Sequence, residues 1–264
     1  MKLTSRQLQD LERDGFLVLP GLFSREEVDL LRSRQERLLA ETHEANIVEK
    51  NSGKVRTAMG LHLRDEAFAR LVRHPRLVEP ARQVRSPALY IQQVKINVKA
   101  AFTGEAWQWH YDFATHHADD GVPEPLALNL HVFLDTVTPF NGPLYFIPGS
   151  HAFPEHDAWH DTESTSYPLW VVENRAVKKL VARAASINPD RPIVQATGAP
   201  GTGLIFFDTV VHGSPGNMSP WDRSIFSLIL NPVDNALTRF DRPDFKHHRD
   251  LRIVDPLDDD CLVS

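Results

Sequence analysis

The sequence predicts a mainly β domain flanked by helices, and three observations predict it. Short apolar runs bounded by Gly and Pro recur, as in residues 126–134, the turn Pro139-Phe-Asn-Gly-Pro143 and residues 144–147; strand–turn–strand at this spacing argues for antiparallel pairing. Two capping boxes, Thr4 with Gln7 and Ser24 with Glu27, open helices near the N-terminus. The chain has 264 residues, a length at which all-β barrels often form one domain and about three quarters of the unfolded surface is buried. No repeat, low-complexity segment or linker divides it, so one domain over residues 1–264 is expected.

Taken in order, residues 4–14 read as a short helix through Leu8 and Leu11, stopped by Gly15. Residues 16–19 form an apolar strand, and a helix follows from Ser24 to about residue 41 with Val28, Leu31 and Leu38 inward. Residues 42–58 read as a polar loop entering a strand near 55–61, which carries Arg56 and leads to His62. Residues 65–84 are helical, and Pro75 and Pro80 are expected to divide them. Residues 88–98 are a strand whose Gln93, Lys95 and Asn97 share one face, and polar groups at three alternate positions need partners or a ligand. Residues 107–113 read as an aromatic-rich strand and 114–123 as a loop.

Residues 152–192 carry Trp159 and Trp170 and one helical piece near 174–186; they read as an insertion and lid. Residues 204–207 form a strand leading to His212, and 225–230 another just after Arg223. Residues 240–264 read as a peripheral tail.

The composition excludes several classes. There are 29 basic and 35 acidic residues, a net charge of −6, with no Lys/Arg-rich run to hold nucleic acid or an anionic membrane. No apolar run is long enough to span a bilayer, and the N-terminus lacks a signal-peptide core. The single cysteine, Cys261, lies in the polar tail and reads as a surface thiol; no intrachain disulfide is possible. The expectation is a cytoplasmic protein acting on a small molecule, with no nucleic-acid or membrane partner.

The chemistry converges on Trp107-Gln-Trp-His-Tyr-Asp-Phe113. On a strand, residues i and i+2 face the same way, so His110 and Asp112 present an imidazole and a carboxylate together. With a distant third histidine, for which His212 is the candidate, they make the 2-His-1-carboxylate face that holds Fe(II) and leaves positions open. Zinc accepts the same ligands. Arg223, eleven residues past His212, suits the far carboxylate of an oxoacid, because a guanidinium stays charged and pairs bidentately.

These motifs, with Tyr90-Ile-Gln-Gln-Val-Lys-Ile-Asn97, Asp120-Gly-Val-Pro123, Phe140-Asn-Gly-Pro-Leu-Tyr-Phe-Ile-Pro-Gly-Ser-His151 and His212-Gly-Ser-Pro-Gly-Asn217, resemble the phytanoyl-CoA dioxygenase family of Fe(II)/2-oxoglutarate oxygenases. Within it they are similar to the bacterial branch of ectoine and proline hydroxylases and the leucine hydroxylase of griselimycin biosynthesis. The resemblance covers most of residues 1–235 and implies a double-stranded β-helix (jelly roll, cupin-like) with flanking helices. It implies Fe(II), 2-oxoglutarate and O2, with ascorbate as a supporting reductant. It implies that His110, Asp112 and His212 hold iron, that Arg223 binds the distal carboxylate of 2-oxoglutarate, and that Gln93, Asn97, Trp107 and Asn129 line the cosubstrate pocket. Family halogenases lack the carboxylate ligand; Asp112 is present, which implies hydroxylation. Where ectoine hydroxylase carries Trp, this chain carries His116, which suits a more polar substrate side chain.

The expected substrate is a small free amino acid, leucine-like and aliphatic first. Arg56 is the candidate cation for its carboxylate, and Asp120 or a loop carbonyl the acceptor for its ammonium. The same chemistry on a carrier-bound or acyl precursor, a non-catalytic jelly-roll binding protein and a zinc hydrolase are the competing readings.

Overall fold

A computed structural model describes residues 1–153 and 158–263. The N-terminal elements are helix α1 (Ser5–Asp14), strand β1 (Phe16–Leu19) and helix α2 (Arg25–Ala40). Both helices begin at the anticipated capping boxes, with Thr4 and Ser24 accepting from the backbone N–H of Gln7 and Glu27. Gly15 ends α1 in the left-handed conformation, φ 83°, where a Cβ would be strained. Strands β2 (Asn46–Val48) and β3 (Val55–Met59) follow, and β2 falls inside what reads as a loop. Its three residues are too few to carry a period.

Helix α3 (Glu66–Leu71) and helix α4 (Pro75–Val84) come next. Pro75 opens α4, as a residue with no N–H to lose can, but Pro80 sits inside the helix instead of ending it. Strand β4 (Leu89–Lys99) is the longest. Strand β5 (Trp107–His110) ends at the histidine, and helix α5 (Asp112–Asp120) begins two residues later. The expected loop at 114–123 is therefore largely helical, and Asp112 is a helix residue, not a strand residue. Gly121, φ 67°, is the left-handed cap of α5 and not a loop turn.

Strands β6 (Leu128–Phe133) and β7 (Leu144–Phe146), the hairpin of β8 (Ala158–Asp161) and β9 (Leu169–Val172), and helix α6 (Asn174–Ile187) lead to the last four strands. These are β10 (Val194–Ala196), β11 (Gly203–Phe207), β12 (His212–Ser214) and β13 (Arg223–Pro232). Within the expected insertion 152–192, residues 154–157 lie outside the described residues.

Two sheets form a double-stranded β-helix. One has seven strands in the order β1-β11-β6-β13-β4-β3-β2, the other four in the order β10-β7-β12-β5, all antiparallel. Alternation on β6 separates two environments. Leu128, Leu130 and Val132 face the core under the N-terminal helices, with Leu31, Leu38 and Phe68. The intervening residues turn toward the second sheet, where Phe133, Phe206 and Ile225 pack with Leu144 and Phe146. No described helix is long and apolar enough to cross a membrane.

The C-terminal segment is not a peripheral tail. The backbone N–H of His248 bonds to the Gln92 carbonyl at 2.8 Å and that of Val254 to Leu89 at 2.8 Å. Cys261 is buried in the core, not a surface thiol, because Leu262 and Val254 dock the segment there.

Candidate metal and substrate site

The site opens between the sheets and is built from strand ends. His110 closes β5, and His212 opens β12, directly opposite it in the antiparallel register. The Nδ1–H of His110 donates to the Gln108 carbonyl at 2.6 Å, and that of His212 to the Val210 carbonyl at 3.0 Å. Each bond places the ring proton on Nδ1 and leaves Nε2 bare. The Nε2 atoms lie 3.8 and 3.9 Å from the two oxygens of Asp112. One ligand atom from each of the three side chains falls within 4.8 Å of the others.

Asp112 arrives by a route that strand alternation does not describe. Tyr111 is extended (φ −132°, ψ 139°) and Asp112 is the first helical residue of α5. A carboxylate at a helix N-terminus is favoured by the dipole. One turn of α5 then carries Thr115 and His116, three and four positions on, to the cavity face beside Asp112.

Electrostatics suit a cation. Burial would raise the Asp112 pKa, yet His212, Lys95 and His110 hold it well below the carboxylate range. Burial, then His212, lowers His110 to about 3, and burial lowers His212, so both rings are neutral lone-pair donors. Two neutral imidazoles and one carboxylate, preset in tautomer, fit a ferrous ion.

Arg223 starts β13 and is buried beside the triad. Its Nε donates to the Gly142 carbonyl at 3.1 Å and its Nη2 to the same carbonyl and, at 3.2 Å, to Ser214 Oγ. Burial draws its pKa down to about 9, which leaves it charged at neutral pH. Gln93, Lys95 and Asn97 line the cavity together from β4, and Trp107 and Asn129 line it as well. Asn129 Nδ2 is buried with no partner in the protein.

Two expected substrate contacts lie elsewhere. Arg56 does not line the cavity. Its guanidinium is behind the Trp107 ring, 4.0 Å from the centroid, held by Glu105 at 3.0 Å and the Ala106 carbonyl at 2.8 Å. It braces the β3–β5 side because its carboxylate partners are there. Asp120 does not line the cavity either: it is buried and used up by Arg242 and by the Nδ1–H of His247 at 2.8 Å. Burial would raise its pKa, but those two hydrogen bonds hold it at about 2.

Arg242 is the cation that the sequence did not reveal. It lines the cavity, with Nε 2.7 Å from Asp120 Oδ1 and Nη1 4.0 Å from Asp119. No motif marks it, and its segment carries no strand or helix period. Tyr167 and Leu169 cover the cavity from the β8–β9 hairpin, which Trp170 Nε1 ties to Asp119 Oδ1 on α5 at 3.0 Å. His116 lines the cavity as a neutral ring, its pKa lowered by burial to about 3. His117 points away and bonds to the Val122 carbonyl.

Residues 11–225 match the family described as phytanoyl-CoA dioxygenase (PhyH). The ectoine dioxygenase of Nocardia farcinica is 38% identical over 243 residues, 88% of this chain and 79% of that protein. The L-proline trans-4-hydroxylase of Streptomyces griseoviridis is 37% identical over 260 residues, 95% of this chain and 94% of that protein. The crystal structure of EctD from S. alaskensis in its apoform matches with a TM-score of 0.83 and 32% identity, covering 97% of this chain and 87% of that one. EctD with 2-oxoglutarate and 5-hydroxyectoine matches with a TM-score of 0.81 and 33% identity over 97% and 86%.

Proposed function

The chain belongs to the phytanoyl-CoA dioxygenase family, and from that premise we propose that it hydroxylates an unactivated C–H of a small free amino acid. It is a 2-oxoglutarate-dependent non-heme iron dioxygenase acting on a small molecule. The finer reading puts a cyclic amino acid first, in the size range of proline or ectoine, ahead of the leucine-like substrate that the motifs alone favour. The proline hydroxylase relative, alike over nearly its whole length, supports that order.

In this reading His110, Asp112 and His212 hold the iron. When bound, iron with 2-oxoglutarate supplies O2 activation and C–H cleavage. The chain supplies position. Arg223 anchors the distal carboxylate of the cosubstrate, with Gln93, Asn97, Trp107 and Asn129 around it. Arg242 receives the substrate carboxylate, and Asp120 orients its guanidinium. Trp107, Tyr167 and Leu169 exclude water from the reacting face. His116 meets the polar end of the substrate.

The single observation that carries the substrate class is Arg242. It is a cation on the cavity wall, clamped on one edge by Asp120, that no metal or cosubstrate role requires. A zwitterion with one carboxylate matches it; a bulky acyl carrier does not need it. The test is a panel of free cyclic, aliphatic, basic and hydroxylated amino acids, with acyl-CoA and carrier-bound forms, incubated with iron, ascorbate and 2-oxoglutarate. Gain of one oxygen on a free amino acid supports the reading, and activity confined to acyl, carrier-bound or peptide substrates overturns it.

A further inference from the structure

The turn between β8 and β9 is held at both ends from the β5 region. At one end the Gln108 amide donates to Asp161 Oδ2 at 2.8 Å, and Asp161 Oδ1 accepts the backbone N–H groups of Glu163 and Ser164. At the other end Glu105, just before β5, takes Ser166 with both carboxylate oxygens. Oε2 accepts the Ser166 backbone N–H at 2.8 Å, and Oε1 accepts its hydroxyl at 2.7 Å. Ser166 Oγ in turn accepts the Lys50 N–H at 2.8 Å. Three hydrogen bonds thus converge on one residue of a turn whose residues 162–164 are exposed.

The adjacent residue shows what this clamp holds. Tyr167 is buried and lines the metal cavity, with its ring 5.1 Å from that of Trp107. The Trp107 ring also meets the Arg56 guanidinium, whose Nη1 donates to Glu105 Oε2 at 3.0 Å. One carboxylate is therefore tied to both side chains that touch the Trp107 ring, to Arg56 directly and to Tyr167 through Ser166.

Neutralising Arg56 does not by itself account for this geometry. Arg56 has a second carboxylate, Glu49, at 3.9 Å, and it takes a single Glu105 oxygen. The other oxygen, Oε1, meets the Ser166 hydroxyl. Burial would raise the Glu105 pKa, but the Ser166 bonds and then Arg56 hold it below the usual carboxylate value, so both oxygens stay acceptors. Charge-assisted bonds from both oxygens to one residue hold it more strongly and more directionally than neutral ones.

We propose that Glu105 is a positioning residue for catalysis, clamping Ser166 so that the Tyr167 ring stays against Trp107 and closes the cavity to water. The inference rests on the reading of Tyr167 as part of the wall that excludes water; Glu105 itself does not line the cavity.

Two measurements test it. Hydrogen exchange is followed on iron-loaded enzyme with 2-oxoglutarate in the absence of O2. Glu105→Gln turns an amide N–H2 toward one of the donors, and Ser166→Ala removes the hydroxyl. Each should speed exchange across residues 165–170 about fivefold or more, the worth of one or two hydrogen bonds. Then O2 is admitted with the free amino acid that the wild type hydroxylates best, and succinate is counted against product. An opened wall lets 2-oxoglutarate be consumed without product, so that ratio should rise about twofold or more in both variants. A merely structural loss would lower succinate and product together. Tyr167→Ala should raise the ratio too, and Glu105→Gln added to it should change nothing further, because one residue acts through the other. Wild-type exchange in both variants, a wild-type ratio, or a further rise in the double variant overturns the inference. Should Glu105→Gln fail to fold, Ser166→Ala carries the same comparisons. Should the wild type oxidise no free amino acid, it is the substrate reading that fails, and the exchange alone decides the clamp.

Discussion

His110 and His212 face each other across the antiparallel pair β5–β12, and each donates its Nδ1 proton to the carbonyl two residues before it. The two ligand candidates are thus set by one register and one repeated local bond. Asp112 meets both, at 3.8 and 3.9 Å. Asp112→Ala should therefore remove iron and turnover together and leave the fold intact, because none of the three hydrophobic clusters among the described residues includes the Asp112 side chain. Metal analysis, circular dichroism and succinate release check it; full iron occupancy with wild-type turnover would reject the ligand set.

Arg223 is buried and charged. Truncation to Ala should cost about 2–5 kcal/mol of cosubstrate binding, since the carboxylate loses its charge partner in a desolvated site. The KM for 2-oxoglutarate should rise far more than that for the amino acid. Steady-state kinetics with each substrate varied in turn decide it, and an unchanged 2-oxoglutarate KM would remove the role.

Arg242 predicts the opposite split. Arg242→Met should raise the amino-acid KM and leave 2-oxoglutarate binding close to wild type. Asp120→Asn should act in the same direction but more weakly, because it frees the guanidinium without removing it. Equal effects on both substrates would mean that Arg242 holds the wall and not the carboxylate.

Asp120 also gives a pH dependence. Its pKa in the fold, about 2, is depressed below that of an unfolded aspartate, which is about 4. The stabilisation is therefore fully present above about pH 4 and lost as pH falls through the folded pKa near 2. Its size is on the order of 2 kcal/mol. Denaturant unfolding of wild type and Asp120→Asn should differ at pH 6 and converge toward pH 2. A difference that does not shrink on acidification would assign the effect to packing.

The β8–β9 hairpin covers the cavity. Tyr167 and Leu169 reach the cavity, and the Trp170–Asp119 bond ties the hairpin to α5. We propose that residues 158–187 close over bound substrate and cosubstrate. Hydrogen exchange should slow in this segment when both are added, and less so in Trp170→Phe. Exchange that ignores both ligands would make the segment a fixed outer wall.

Local pattern carries some of this molecule and not the rest. His110, His212 and Arg223 are legible because they sit at strand ends flagged by turns and apolar runs, and the shared face of Gln93, Lys95 and Asn97 comes from a period of two. The α5 helix is hidden because Tyr111 offers no capping side chain and His-x-Asp fits strand alternation equally well. Arg56 and Asp120 are the right chemical types at the wrong addresses: both are held by nearer partners, Glu105 and Arg242, that only the fold brings in. Arg242, His247 and His131 have no motif. The first two come from a segment without period. His131 looks like any polar residue on an alternating strand until its buried Nδ1 is seen to lack a partner.

The most direct measurement is oxygen tracing. The enzyme, loaded with iron and 2-oxoglutarate, turns over a free amino acid from the panel under isotopically heavy O2, and product and succinate are weighed by mass spectrometry. The account predicts one heavy oxygen in the hydroxylated amino acid and one in succinate, in equal amounts, with both lost in Asp112→Ala. Succinate formed with no oxygen entering any free amino acid, or oxygen in the product that comes from water, would contradict it.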